Sequence, residues 1–372
     1  MSNNDFSGVL PPDFSGIQQL RILALDDNEF SGDVSTTFND MFGLTALRLE
    51  DNEFEGRIDD NFLTNHKVLL HIDLSDNDFT GTVPPHFFEP TSIPFLETLD
   101  LHGNRLTGQL PDFSPNVALE FLSLHDNSIS GSVPEAFTNL LELRHLDLSS
   151  NDLNGPMPEF IGNMTKLEYV FLANNSFVPG PIPESWANLT RLEELSVKRT
   201  QREGNLPEWM GDLENLLLLD MDQNNFVGPI PASYGRLRKL QFLMLNRNDI
   251  EGVLPASFVN LTELRAVFLE GNALEGDLEI LCDLPNFQET PGDRDGTEIL
   301  AADCLQGSPL NCSCCTHCCP PRFPEVEGLE DETTCTGLDA IVHLDPIWEN
   351  GYRRTNFDFG NETRFTDRDY LN

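Results

Sequence analysis

Asparagine returns along this chain at a nearly fixed interval, and that constrains its fold more than anything else. Asn4, Asn28, Asn52, Asn77, Asn104, Asn127, Asn151, Asn175, Asn224, Asn248 and Asn272 form one series, with Thr200 in the single slot that breaks it. Counting that slot, the spacings are 24, 24, 25, 27, 23, 24, 24, 25, 24, 24 and 24 residues. A chain of 372 residues would by length alone suggest two or three domains. A single unit repeated from residue 4 to residue 272 overrules that count, because stacked repeats share one continuous core.

The unit reads L-x-x-L-x-L-x-x-N-x-F-x-G-x-x-P, as in Leu143, Leu146, Leu148, Asn151, Leu153, Gly155 and Pro158. Alternation in Leu146-Asp147-Leu148 predicts a short strand with one buried face. Asn151 follows in the turn, where a buried amide must find hydrogen-bond partners, and stacked coils supply them as a ladder. Gly32, Gly56, Gly81, Gly108, Gly131 and Gly155 stand where the chain bends tightly. Pro84, Pro111, Pro134, Pro158, Pro183, Pro207, Pro231 and Pro255 open the return segment, where a fixed φ suits a short helical turn. The excess of Phe (26, against 4 Tyr and 3 Trp) also falls into columns. Phe6, Phe30, Phe54, Phe79, Phe177 and Phe226 lie two residues after the Asn slot, and Phe137, Trp186, Tyr234 and Phe258 three after the Pro. Both columns are expected to face the core.

This frame resembles the plant-type leucine-rich repeats of receptor ectodomains, receptor-like proteins and polygalacturonase-inhibitor proteins. Gly228-Pro229-Ile230-Pro231 and Gly180-Pro181-Ile182-Pro183 are its most specific matches, within residues 3 to about 281. The resemblance implies an α/β repeat fold, a right-handed solenoid or horseshoe. A parallel sheet would line its concave side and short helical turns its convex side. The expected organisation is a solenoid over 1–281 of about twelve repeats with the first truncated, a Cys-rich cap over 282–319, and an acidic, partly disordered tail over 320–372.

The chain opens inside a unit, at Asn4-Asp5-Phe6-Ser7-Gly8, without the Cys-containing cap of plant-type relatives. A natural start carrying a secretion signal is therefore expected upstream. All eight cysteines lie at the other end: Cys282, Cys304, Cys312, Cys314, Cys315, Cys318, Cys319 and Cys335. They read as a disulfide-stapled cap in an oxidising compartment. A metal site on Cys315, His317 and Cys318 is the competing reading. The run Cys312-Ser-Cys-Cys-Thr-His-Cys-Cys319 after Ala302-Asp303-Cys304 resembles the cap of leucine-rich repeat proteins from diatom-like algae. Eight cysteines allow about 105 pairings, and the sequence does not choose among them. Six N-x-S/T sequons occur, at Asn163, Asn174, Asn188, Asn260, Asn311 and Asn361. Asn163, Asn188 and Asn260 share one repeat position on the outer turn and are the glycosylation candidates.

In a solenoid of this family the solvent-facing strand positions lie six, four and two residues before the Asn. Read that way, the early repeats are acidic, with Asp26, Asp27, Glu50, Asp51, Asp73, Asp76 and Asp100. The middle is rich in His and aromatics, with His71, His102, Phe121, His125 and His145. Tyr169, Phe171, Leu218, Phe242, Met244 and Phe268 would then make one exposed apolar patch. A protein or peptide partner across it, self-association or coverage by the tail, and a neutral drifted surface are the three readings. Repeat eight is anomalous: Thr200 replaces the ladder Asn, Arg202 takes the Phe slot, and Lys198 and Arg199 stand nearby. These long side chains either snorkel outward from an irregular turn or dock a partner carboxylate or acidic polysaccharide. His102 and His125 with Asp100 read as a pH-sensitive polar patch or a zinc site. Asp73-Leu-Ser-Asp76-Asn-Asp78 lacks calcium-hand spacing, and Asp293-Arg-Asp295-Gly296 reads as a turn.

Lys plus Arg total 22 against 62 acidic residues, a net charge of −40, which argues against nucleic acid and anionic lipid. No 18-residue apolar run exists to span a membrane. Nucleophile elbow, phosphate loop, dinucleotide loop and zinc-protease motifs are all lacking, so no catalysis and no cofactor are expected. The reading is an extracellular or cell-surface recognition module binding a protein, peptide or glycan on its concave face, as a monomer or homodimer. Its alternatives are a structural or adhesion protein of the cell surface or wall, and a secreted inhibitor of a wall-degrading hydrolase.

Overall fold

The computed structural model describes residues 2–319, apart from 3, 12, 13, 15, 65, 113–117, 288–298 and 305–307. The Asp293–Gly296 turn, the tail from residue 320, Cys335 and the Asn361 sequon therefore lie outside the described residues.

Each repeat contributes one short strand to a parallel sheet of 13 strands. The sheet starts at Ile22–Ala24, runs one coil at a time through strands such as His145–Asp147, and ends at Ile299–Ala302 and His317–Cys318. Register is strict: Phe121, Leu122 and Ser123 face His145, Leu146 and Asp147. The middle residue of each triplet (Leu122, Leu146, Val170, Leu195) is wholly buried in the solenoid core. Its two flanking residues point to the other side of the sheet, as the two-residue strand period requires.

A second sheet, which the sequence pattern did not announce, follows the Asn turn. Seven strands from Ser7–Val9 to Asp152–Leu153 form it, and it resumes as four strands from Glu203–Asn205 to Ala273–Leu274. It stops in the coil of Asn175, where Pro179 occupies the slot of the conserved-frame glycine. An isolated Gly180–Arg202 bridge and single backbone hydrogen bonds, such as Ser176 N to Leu153 O and Val178 N to Gly155 O, cross the gap. Two prolines in Pro179-Gly180-Pro181 remove the ladder donors there.

The helical turns of the repeats are 3-10, and one short α-helix, Glu279–Cys282, follows the last of them. Pro134, Pro158, Pro183, Pro207, Pro231 and Pro255 each immediately precede one, for example Glu135–Asn139. Phe137, Trp186, Tyr234 and Phe258 on these turns are fully buried, as the Phe column requires.

The asparagine ladder is literal. Asn151 Nδ2 donates to Leu148 O and Ser149 O in its own coil and to Leu124 O one coil back (3.0 Å), while its Oδ1 accepts from Ile129 N (2.9 Å). The residue before each Asn is left-handed, with φ between 48° and 55° at Asp27, Asp51, Asp76, Asp126, Ser150, Asn174, Arg199, Gln223 and Arg247. Asp and Asn tolerate that conformation, which explains the recurrent Asp-Asn pair.

Three disulfides hold the C-terminal end: Cys282–Cys314, Cys304–Cys318 and Cys312–Cys315. Cys319 is disulfide-bonded as well. Cys315 and Cys318, the two thiol members of the alternative metal site, are thus both cross-linked. The strands at 299–302 and 317–318 carry the main sheet on into this cap.

Candidate binding face

The positions six, four and two residues before the Asn slot form three columns on the sheet side away from the core. At the N-terminal end Arg48 threads the acids. Its Nη2 lies 2.6 Å from Glu50 Oε1 and 3.6 Å from Asp26 Oδ2. Burial raises the Glu50 carboxyl to about 7 even with Arg48 beside it. Burial, together with Asp100 and Glu50, pushes Asp73 well above the carboxylate range.

Next comes a stack of rings. His102 lies face to face with His125, centroids 4.2 Å apart, and Phe121 with His145, also 4.2 Å. The two His102 nitrogens each meet a carboxylate, Asp100 Oδ1 at 2.7 Å and Asp76 Oδ2 at 3.2 Å. Burial pulls that imidazolium down, but Asp100 and Asp76 more than reverse it and hold it well above its ordinary value. Burial likewise raises Asp100, and His102 overrides it, leaving the carboxyl below its usual range. His125 Nδ1 sits 2.9 Å from Ser123 Oγ and 3.2 Å from Asp147 Oδ2. Burial opposes ionisation of Asp147, yet His125 and His145 bring it to about 2. The nitrogens of His102 are thus engaged by Asp100 and Asp76, an arrangement of charge-assisted hydrogen bonds.

The C-terminal third is apolar. Leu218, Phe242, Met244, Ala266, Phe268, Ile299, Ala301 and Cys319 form a cluster separate from the solenoid core. The expectation that Tyr169, Phe171, Leu218, Phe242, Met244 and Phe268 lie open to solvent is corrected: they are 2–7% exposed. In-register strands set like residues side by side, so each closes the flanks of the next. Beside this ledge runs the column Asp222, Asn246, Glu270, Asp303. Asn246 Oδ1 and Glu270 Oε2 are buried without a hydrogen-bond partner. Burial drives Glu270 up to about 7, with Asn246 and Arg247 offsetting part of it.

The basic repeat also differs from the outward-snorkelling expectation. Arg202 is buried to 1% exposure, in the Phe column between Phe177 and Phe226. Its guanidinium donates to the carbonyls of Thr200, Pro181 and Val178. It replaces a packed ring by backbone hydrogen bonds where the second sheet is broken, satisfying groups that would otherwise be orphaned. Lys198 is buried too, 3.7 Å from Asp222 Oδ2. Arg199 occupies the left-handed turn position and hydrogen-bonds Gln223. Lys198, Arg199 and Arg202 therefore point three different ways and form no common patch. Asn163, Asn188 and Asn260 end three of the 3-10 turns, exposed.

Sequence reasoning set Asp100 beside His102 but missed the Arg48–Glu50 pair, the second His102 partner Asp76 and the orphaned Asn246 and Glu270 acceptors. The column reading contained each of them; the directions of the side chains were not legible.

Two family models described as leucine rich repeat match the chain, one over residues 94–153 and 117–177, the other over 68–89 and 239–261. No curated protein matches. A solved TDR receptor is 27% identical, with a TM-score of 0.65, over 76% of this chain and 52% of its own. A PEPR1–AtPEP1 structure is 26% identical (TM-score 0.64), over 76% of this chain and 43% of that one. The ectodomain of the Arabidopsis receptor kinase HAESA, in complex with an extended IDA peptide hormone ligand, is 26% identical (TM-score 0.55), over 77% and 55%. The chain spans about half the length of these structures. Among the described residues no helix is long and apolar enough to cross a membrane. The chain carries leucine-rich repeats over the matched residues, and its solenoid is similar to those of plant receptor ectodomains.

Proposed function

We propose that this solenoid is an extracellular, receptor-like recognition module, and that its ligand is a peptide or protein segment lying along the concave columns. One observation carries the reading: an apolar cluster, Leu218 to Phe268, stands on the outer face of the sheet, separate from the core. Aromatic and Met anchors with a polar rim are what interfaces use. Asn246 Oδ1 and Glu270 Oε2 lack partners, so the favoured ligand couples a large apolar side chain with a cationic group. The 26–28% identity to solved ectodomains, one of them holding a peptide hormone, supports the same class of ligand. The disulfide cap supports an oxidising compartment, and Asn163, Asn188 and Asn260 are the proposed glycan acceptors. We assign the chain no catalytic step.

The test is a library of random linear peptides panned against the full chain and against a Phe242→Ser/Phe268→Ser chain. Peptides pairing an aromatic or aliphatic residue with Lys or Arg are expected to bind, and to lose roughly tenfold or more in affinity on the variant. Peptides that bind both chains equally would refute the reading.

A further inference from the structure

The three disulfides whose partners are both described hold the cap unequally. Cys282–Cys314 ties the helix Glu279–Cys282 to the cap across 32 residues, and Cys304–Cys318 ties the last two strands of the main sheet across 14. Cys312–Cys315 spans only 3. A loop that short removes little freedom from the unfolded chain, so this bond adds least to the fold. Its loop is also pinned without it. The Glu279 carboxylate accepts from Ser313 N and from Ser313 Oγ, both at 2.7 Å, and Cys314 is buried in its own disulfide. Cys312 is the meeting point of all three bonds. Its Sγ lies within 4.8 Å of those of Cys282 and Cys314, and within 4.8 Å of those of Cys304 and Cys315. Cys312 and Cys315 are half-buried, and Asn311 and Ser313 on either side of Cys312 are exposed, so this pair stands at the surface of the cap.

We propose that Cys312–Cys315 is a thiol–disulfide exchange site for a small thiol, with Cys312 as the sulfur that hands the exchange on to the disulfides beside it. In the first step the thiolate of the small molecule attacks Cys315 Sγ. A mixed disulfide forms on Cys315, the Cys312–Cys315 bond breaks, and Cys312 leaves as a thiolate. In the second step Cys312 attacks Cys304 Sγ. A Cys304–Cys312 bond forms, the Cys304–Cys318 bond breaks, and Cys318 leaves as a thiolate that takes a proton from water. Each step trades one S–S bond for another, so the entering thiol, kept as the adduct, is the sole co-reactant. The parallel step toward Cys314 releases Cys282, whose Sγ has Ser313 Oγ 3.8 Å away to hydrogen-bond it. With a net charge of −40, neutral and cationic thiols approach more readily than anionic ones. Loss of Cys304–Cys318 unties His317–Cys318 from the end of the sheet, where Ile299, Ala301 and Cys319 complete the apolar cluster. Exchange at the surface of the cap thus reaches the concave face.

The test maps disulfides and free thiols by mass spectrometry, after acid quenching and alkylation of the full native chain. In the wild type, cysteamine is expected to open Cys312–Cys315 about tenfold or more faster than Cys282–Cys314 or Cys304–Cys318, as the exposed pair. Cys315→Ser leaves Cys312 as a free thiol and is expected to rearrange without added thiol. Cys312 then appears in a disulfide with Cys304, Cys314 or Cys282, and the cysteine it displaces becomes the alkylated one. Cys312→Ser is expected to keep Cys282–Cys314 intact. Cys312→Ser/Cys315→Ser is expected to lose less in unfolding midpoint than Cys282→Ser/Cys314→Ser, since its loop is the shorter. Another disulfide opening first in the wild type overturns the proposal. So does a Cys315→Ser chain in which Cys312 stays the alkylated thiol and both other pairs remain native, or a Cys312→Ser chain that rearranges as fast at Cys282–Cys314. An equal loss of midpoint in the two double variants makes Cys312–Cys315 a structural bond, and also overturns it.

Discussion

Replacing Glu270 by Gln should stabilise the protein at pH 8 and do almost nothing at pH 4.5. Glu270 is 6% exposed, its Oε2 has no hydrogen-bond partner, and burial raises its carboxyl from 4.5 to about 7. The folded state therefore holds a proton that the unfolded chain releases between those two values. Stability falls as pH rises through that window and levels off above about 7. A shift of this size corresponds to about 3 kcal/mol at roughly 1.4 kcal/mol per pKa unit, an upper figure for a partly relaxing site. Glutamine keeps the volume, removes the charge and offers an N–H to Asn246 Oδ1, the neighbouring orphan. Urea unfolding of both chains at pH 8 and pH 4.5 is the assay, and the difference between chains cancels the other raised acids, Glu50 and Asp73. An equal gain at both pH values, or a loss at pH 8, would refute the argument that burial holds the Glu270 carboxyl protonated.

Asn151→Ala removes one rung of the ladder, leaving Ile129 N without its acceptor and Leu124 O with Asn127 Nδ2 alone of its two amide donors, and should cost about 1–3 kcal/mol in urea unfolding. Arg199→Asn relieves a left-handed arginine at φ 50° and should raise stability by roughly 1 kcal/mol, read as a higher unfolding midpoint. His102→Gln removes an imidazolium held well above its ordinary value by Asp100 and Asp76. Its contribution is fully present below the unfolded histidine value and fades as pH rises through the raised folded one. The variant's deficit should therefore be larger at pH 6 than at pH 9, and a deficit that grows toward alkaline pH would exclude the ion-pair account.

The coil was legible because its determinants are local and repeated. Leu146 between His145 and Asp147 states a strand period, and Asn151 followed by Gly155 and Pro158 states the bend and the return. What resisted reading was decided across coils. Pro179 in the glycine slot ends one sheet and lets another begin, and nothing in the frame says that a second sheet exists. Arg202 is the clearest case. A cation in an aromatic column reads as a surface residue, since a buried charge normally needs a partner of opposite sign. The partners here are the carbonyls of Val178 and Pro181 at the interrupted ladder one coil back, and that of Thr200 in its own coil. The irregularity that makes Arg202 look misplaced is thus what makes its burial affordable. The binding face obeys the same logic. Which residues stand in each column follows from counting back from the Asn, but whether a column is open depends on what covers it. Phe242 and Phe268 were placed on the correct face and given the wrong exposure, because a period fixes direction and says nothing of how closely neighbouring coils close around a side chain.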